Sequence, residues 1–83
     1  DVDLMVYPNP ATTDLHVAIT LDKQQEATIT LSDMTGKIFF VRDRLLHYGE
    51  NTIREDVSAF AKGIYLLTLT TESGKMISRI SVE

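Results

Sequence analysis

Apolar and polar residues alternate along most of this chain with a period of two. Leu15, Val17, Ile19 and Leu21 are separated by His16, Ala18 and Thr20, which predicts a strand with one buried face. Ala27 to Ser32 alternates again, with Ile29 and Leu31 inward. Lys37 to Leu45 predicts a returning strand. Its centre, Ile38-Phe39-Phe40-Val41, is apolar on both faces, so alternation assigns no inward set and the two phenylalanines are expected to divide between faces. Thr52 to Glu55 predicts a short strand. Ile64 to Thr71 is the most β-prone run, with Tyr65, Leu67 and Leu69 on one face, and Met76 to Val82 predicts the last strand. The expected core therefore includes Leu15, Val17, Ile19, Ile29, Leu31, Tyr65, Leu67 and Leu69.

The segments between these runs carry turn chemistry. Asp22 to Glu26 is a polar loop, and His47 to Asn51 is a loop containing Gly49. Asp33-Met34-Thr35-Gly36 places Asp first and Gly fourth, which predicts a type I turn followed by a left-handed Gly, the three-residue hairpin with a bulge. Asp56 to Gly63 predicts one helical turn or less, closed by Gly63 in the left-handed conformation, with Val57 and Phe60 plugging one end of the core. Glu72 to Lys75 predicts a tight turn. In Tyr7-Pro8-Asn9-Pro10 each proline fixes φ at about −65° and removes a backbone donor, and Asn9 is pushed out of the helical region. That segment reads as a rigid extended turn that cannot join the middle of a sheet. Six or seven short strands at roughly ten-residue spacing, with no helical period, predict an all-β sandwich.

Length and charge narrow the function classes. A chain of 83 residues forms one domain. At this size folding buries roughly 60–65% of the unfolded surface, enough for one thin core and too little for a deep cleft. The net charge of −4 argues against binding a phosphate backbone, which needs a basic face. No run approaches the ~20 apolar residues of a membrane-spanning helix. With no cysteine, disulfide stapling is unavailable, and modest stability is expected. The chain opens on Asp1 without a signal peptide, so we expect a piece of a longer protein, with residues 1–6 as the end of a linker.

Candidate chemistry is sparse. Asp14 and His16 share a strand face, and Ser32 or Ser78 would have to complete a triad that also needs an oxyanion hole and a pocket. A solvent-facing His beside a loop Asp explains the pair. His16 and His47 are the only histidines, so a zinc site would have to be filled by carboxylates. Asp33-Met34-Thr35-Gly36 differs from an Asp-Thr-Gly protease motif by the inserted Met, and turn chemistry accounts for it. Asp1 and Asp3 do not form a looped acidic array for calcium. Trp is absent, which removes the usual flat platform for a glycan and leaves Tyr7 and Tyr48 as the candidate exposed aromatics. The expectation is no catalysis, no metal and no cofactor.

With the strands placed, the punctuation forms one ordered pattern: Tyr7-Pro8-Asn9-Pro10-Ala11, Asp33-Met34-Thr35-Gly36-Lys37, Gly49-Glu50-Asn51, Gly63-Ile64-Tyr65-Leu66, and a terminal strand with Lys75 and Arg79. Over almost the whole chain this resembles the C-terminal sorting domain of type IX secretion system cargo proteins. The resemblance implies an Ig-like antiparallel β-sandwich of about seven short strands, residues 1–83 being one sorting domain at the end of a larger exported protein. It implies a non-catalytic secretion signal with no cofactor. Its partners would be an outer-membrane translocon and sortase-like surface machinery, with no nucleic acid and no membrane span. The cargo would travel through the periplasm to the cell surface or the extracellular space, the domain being cut off there. Pro8, Asn9 and Pro10 match the family's opening motif, Gly36 and Lys37 its hairpin, and Gly63 and Tyr65 its Gly-x-Tyr motif. The family usually places a Lys in the last strand. Here Arg79 takes that place and Lys75 is expected in the preceding turn, a change that keeps charge but alters hydrogen-bond geometry. The competing reading is an Ig-like spacer or adhesion module of a surface protein, which need not be C-terminal.

Overall fold

The computed structural model describes residues 2–83. They form seven strands: β1 (Val2–Tyr7), β2 (Asp14–Leu21), β3 (Gln25–Asp33), β4 (Ile38–Leu46), β5 (Gly49–Asp56), β6 (Gly63–Thr71) and β7 (Gly74–Val82). One sheet has the order β1-β2-β5 and the other β4-β3-β6-β7, with every paired strand antiparallel. This is the Ig-like sandwich the resemblance implied.

Alternation builds the core. β2 buries Leu15, Val17, Ile19 and Leu21, β3 buries Ala27, Ile29 and Leu31, β6 buries Tyr65, Leu67 and Leu69, and β7 buries Ile80 and Val82. All eight residues expected in the core are there. The buried rows of the two sheets belong to one core cluster. Each fully buried Leu or Ile contributes about 1.5–3 kcal/mol of burial free energy.

Four expectations need correction. Residues Val2 to Tyr7 are not the end of a linker: they form β1, in register with β2 from Val2↔Leu21 to Tyr7↔His16, and Val2, Leu4 and Val6 pack on the core. The strand expected over Thr52–Glu55 is β5, which starts at Gly49 and is two residues from the end of β4. Its inward row is largely polar, which hid it. Asn51 there accepts from the His47 N–H (3.0 Å) and donates to the His47 carbonyl (2.9 Å), tying the β4–β5 connection to the sheet. Phe39 and Phe40 do not divide between faces. The β3–β4 register steps from Leu31↔Phe40 to Ser32↔Ile38, so Phe39 is the extra residue of a β-bulge and both rings reach the core side. Finally, Gly63 closes no helical turn. Its φ of 155° is near the extended limit, and it is the first residue of β6, opposite Val82.

Two turns match their chemistry closely. At the β3–β4 hairpin the Gly36 N–H donates to the Asp33 carbonyl (3.1 Å) and the Asp33 N–H to the Lys37 carbonyl (3.0 Å). Gly36 has φ 94°, a conformation any Cβ would strain. Between β5 and β6, the Phe60 N–H donates to the Val57 carbonyl (3.0 Å), a single turn that drives Val57 into the core. Phe60 meets Phe39, Phe40 and Tyr65 there, with ring centroids 5.4, 6.5 and 5.8 Å away.

Candidate functional site

The Pro-Asn-Pro segment is where the chain leaves one sheet for the other. Both prolyl bonds, Tyr7–Pro8 and Asn9–Pro10, are cis. Before the segment, β1 pairs with β2. After it, Ala11 lies parallel to β7, bridged to Val82. Asn9 occupies the gap between, and its side-chain amide acts as a piece of strand. Nδ2 donates to the Arg79 carbonyl (3.1 Å) and Oδ1 accepts from the Ser81 N–H (2.9 Å). Ala11 continues the ladder: its N–H donates to the Ser81 carbonyl and its carbonyl accepts from the Glu83 N–H, both 2.8 Å. Four hydrogen bonds thus seal the C-terminal half of the β7 edge. At about 0.5–1.5 kcal/mol each, they hold the Asn9–Ala11 segment to β7 with a few kcal/mol.

The other motif residues converge on the same end of the sandwich. Gly63 lies opposite Val82 and Tyr65 opposite Ile80, so the start of β6 backs the clamped half of β7. The Tyr65 hydroxyl donates to the Ala61 carbonyl (2.6 Å), a tyrosine corner that pins the β5–β6 connection. Asp33 lies opposite Tyr65 on the neighbouring strand, which brings the Gly36–Lys37 hairpin to this end as well. The Lys37 ammonium sits 5.3 Å from the centre of the Phe39 ring. Lys37, Ile38, Phe39, Phe60 and Tyr65 line a shallow apolar depression here, about 420 Å³.

Arg79 and Lys75 are separated. The Arg79 carbonyl belongs to the clamp and its side chain is exposed on the outer face of β7. Lys75 lies in β7 rather than in the preceding turn, opposite Thr70, four residues from Arg79 and toward the other end of the sandwich. At about 3.4 Å per residue the two are about 14 Å apart along the strand. The residue between them on the outer face is Ile77, 63% exposed, while Ser78 shares the inward row of Met76 and Ile80. Ile77, not Ser78, is therefore the exposed side chain between the two cations.

Residues considered for catalysis are dispersed. Asp14 and His16 lie on β2, whereas Ser32 and Ser78 lie on β3 and β7 of the opposite sheet. His16 stacks on Tyr7 at 5.2 Å, and Asp14 is 3.5 Å from Arg54. His47 contacts Gln24 (3.2 Å). Among the described residues no three His, Asp or Glu side chains cluster as metal ligands, and Asp1 lies outside the described residues. Asp33 is a turn residue: its Oδ1 accepts from the Thr35 hydroxyl (2.6 Å), the Thr35 N–H (2.8 Å) and the Lys37 N–H (3.0 Å). These bonds, the Thr35 hydroxyl foremost, hold its carboxyl below the ordinary carboxylate value against the opposing effect of desolvation. Tyr7 and Tyr48 are exposed, as the sequence suggested, but Tyr7 lies on the three-stranded sheet at the pinned end and Tyr48 follows β4 at the other.

A family model described as the secretion system C-terminal sorting domain matches residues 5–83. The chain belongs to that family. It is a sorting domain of the type IX secretion system, and this decides against the spacer or adhesion reading. The family is one of signals, generally without catalytic activity, and membership implies export toward the cell surface or extracellular space. Among solved structures the sorting domain is similar to part of dimeric latent PorU from Porphyromonas gingivalis, with 18% identity and a TM-score of 0.81. It covers 98% of this chain and 9% of the PorU chain. A mutant β-glucosidase from Listeria innocua in complex with laminaribiose shares the fold more loosely, at 14% identity, 100% of this chain, 16% of that chain and a TM-score of 0.52. The sorting domain thus spans a small fraction of the chains it resembles. No curated protein was found to match. Among the described residues no helix is long and apolar enough to cross a membrane.

Proposed function

We propose that residues 1–83 act as one folded address at the end of a larger exported protein. An outer-membrane translocon reads the folded sandwich, and a sortase-like surface peptidase then removes it. Pro8, Asn9, Pro10, Gly36, Gly63 and Tyr65 act by building the recognised end, and Lys37, Lys75 and Arg79 act by presenting charge. The observation that carries this reading is the clamp of Asn9 and Ala11 on β7. It makes the motif-bearing end and the last strand one construction, so a receptor touching either reads both.

The test is a reporter with an inner-membrane export signal at one end and residues 1–83 at the other, expressed in a cell with a type IX system. The wild-type fusion is expected at the surface or in the medium. Retention of the folded wild-type fusion in the periplasm overturns the reading. The Asn9→Asp fusion keeps the acceptor for the Ser81 N–H but loses the donor for the Arg79 carbonyl, and its export is expected to fall. Undiminished export of this variant removes the clamp from the mechanism.

A further inference from the structure

The clamp divides the edge of β7 into two halves. Residues 79, 81 and 83 turn backbone groups outward, where Asn9 and Ala11 meet them. Strand alternation then points the N–H and C=O groups of Lys75 and Ile77, and the N–H of Arg79, to the same side. Among the described residues no strand pairs with β7 on that side, so these five groups form an open edge beside a sealed one.

The side chains on this open half have a charge pattern with no answer inside the sheet. Lys75, Ile77 and Arg79 stand in a row on the outer face, cation, apolar, cation. Their cross-strand neighbours on β6 are Thr70, Thr68 and Leu66, all uncharged. Lys75 and Arg79 have no ion-pair or hydrogen-bond partner for their side chains among the described residues, although the chain carries 12 acidic residues against 8 Lys and Arg.

We propose that the open half of the β7 edge is a docking site for an extended acidic segment of a partner protein, which adds as a fifth strand to the four-stranded sheet. Such a segment presents carboxylate, apolar and carboxylate side chains at alternate positions, opposite Lys75, Ile77 and Arg79. A second copy of this chain does not fit. Antiparallel pairing of two β7 strands about Ile77 sets Lys75 of one against Arg79 of the other, and like charges directly opposite oppose pairing. The Asn9 clamp limits the register: an added strand stops where the Arg79 carbonyl is taken. The proposal rests on the sorting reading for its partner, a component of the export machinery, and on edge geometry and charge for its chemistry.

The probe is a synthetic peptide with blocked ends, Thr-Glu-Thr-Val-Thr-Glu-Thr, compared with Thr-Lys-Thr-Val-Thr-Lys-Thr. Its pattern reads the same in both strand directions. With the acidic peptide at millimolar concentration, hydrogen exchange at the Lys75 and Ile77 amides is expected to slow at least about tenfold, and the effect is expected to weaken in high salt. Ile77→Pro removes an outward N–H and no bond to β6, so it is expected to fold and to abolish the protection of Lys75. Should that variant unfold, the double variant Lys75→Glu with Arg79→Glu tests the same point, by reversing the preference toward the lysine peptide. No slowing with the acidic peptide, equal slowing with both peptides, or protection of Lys75 that survives Ile77→Pro overturns the proposal. The reporter fusion separates the two readings. Full export of a folded Ile77→Pro fusion overturns the edge as a docking point and leaves the sorting role intact. Failure of the wild-type fusion to reach the surface, with the peptide preference present, supports the edge site and counts against the sorting role alone.

Discussion

Asn9 does the work of a strand with one side chain. Its amide offers a donor and an acceptor in the spacing of a peptide group, which suits the Arg79 carbonyl and the Ser81 N–H. An aspartate there keeps the acceptor and sets a second oxygen against the Arg79 carbonyl. Asn9→Asp is therefore expected to cost about 1–2 kcal/mol, one hydrogen bond plus repulsion. At roughly 4–8 °C per kcal/mol for a domain of this size, the melting temperature should fall by about 5–15 °C. An unchanged melting temperature would mean that the prolines alone fix the crossing. Tyr65→Phe tests the corner on the same scale. It removes only the bond to the Ala61 carbonyl, a carbonyl that water can reach, so about 0.5–1.5 kcal/mol is expected in a denaturant titration. The rigidity of Pro8-Asn9-Pro10 was legible from composition. Its partner was not, because Arg79 and Ser81 lie 70 and 72 residues away and alternation carries no information about contacts at that range.

Elements were legible in proportion to the contrast between their two rows. β2 and β3 set mainly apolar inward rows against polar or small outward ones, and β6 repeats Tyr65, Leu67 and Leu69 inward along a β-prone run, so each is legible to within a few residues. β1 has Met5 outward among the inward Val2, Leu4 and Val6, and it abuts prolines, so its alternation is weak and resembles a linker. β5 has Asn51 and Glu55 in its inward row, the latter meeting Arg42 at 3.2 Å, so only Ile53 signalled burial. The β4 bulge broke the period at Phe39, and a strict two-residue rule has no way to place an extra residue. The β3–β4 hairpin is legible because its chemistry is local, and that makes it titratable. The Asp33 carboxyl has a folded pKa below the ordinary value of 3.8, chiefly through the Thr35 hydroxyl. The stability it contributes is complete above that value and is lost as pH falls through the lower folded one. Asp56 behaves alike through the Ser58 hydroxyl and N–H. Asp33→Asn should therefore be less stable than the parent in urea at about pH 7, with the difference shrinking at about pH 2. A difference that stays constant across that range would show that the carboxylate charge is irrelevant to the turn.

At the scale of the molecule, the question is whether export machinery reads a fold or a string. The motif residues meet only in the folded domain: Asn9 on β7, Gly63 opposite Val82, and the Asp33 hairpin beside Tyr65. Lys75, by contrast, sits about 14 Å from Arg79, so basic charge is spread along one strand rather than gathered at the pinned end. Leu67 is not itself a motif residue, yet it is fully buried in the core, on β6 between β3 and β7. Leu67→Ala should cost about 2–5 kcal/mol. A domain of this length holds roughly 4–12 kcal/mol in total at 0.05–0.15 kcal/mol per residue, so the loss takes a large share. Leu67→Met keeps the volume and should cost less than about 1.5 kcal/mol. If the fold is the signal, the Leu67→Ala reporter fusion should accumulate in the periplasm and be degraded there, while Leu67→Met is exported. Both variants leave Pro8-Asn9-Pro10, Gly63, Tyr65, Lys75 and Arg79 unchanged as sequence. Equal surface display of the two, with Leu67→Ala shown unfolded by the loss of its cooperative melting transition, would mean that a linear peptide carries the address.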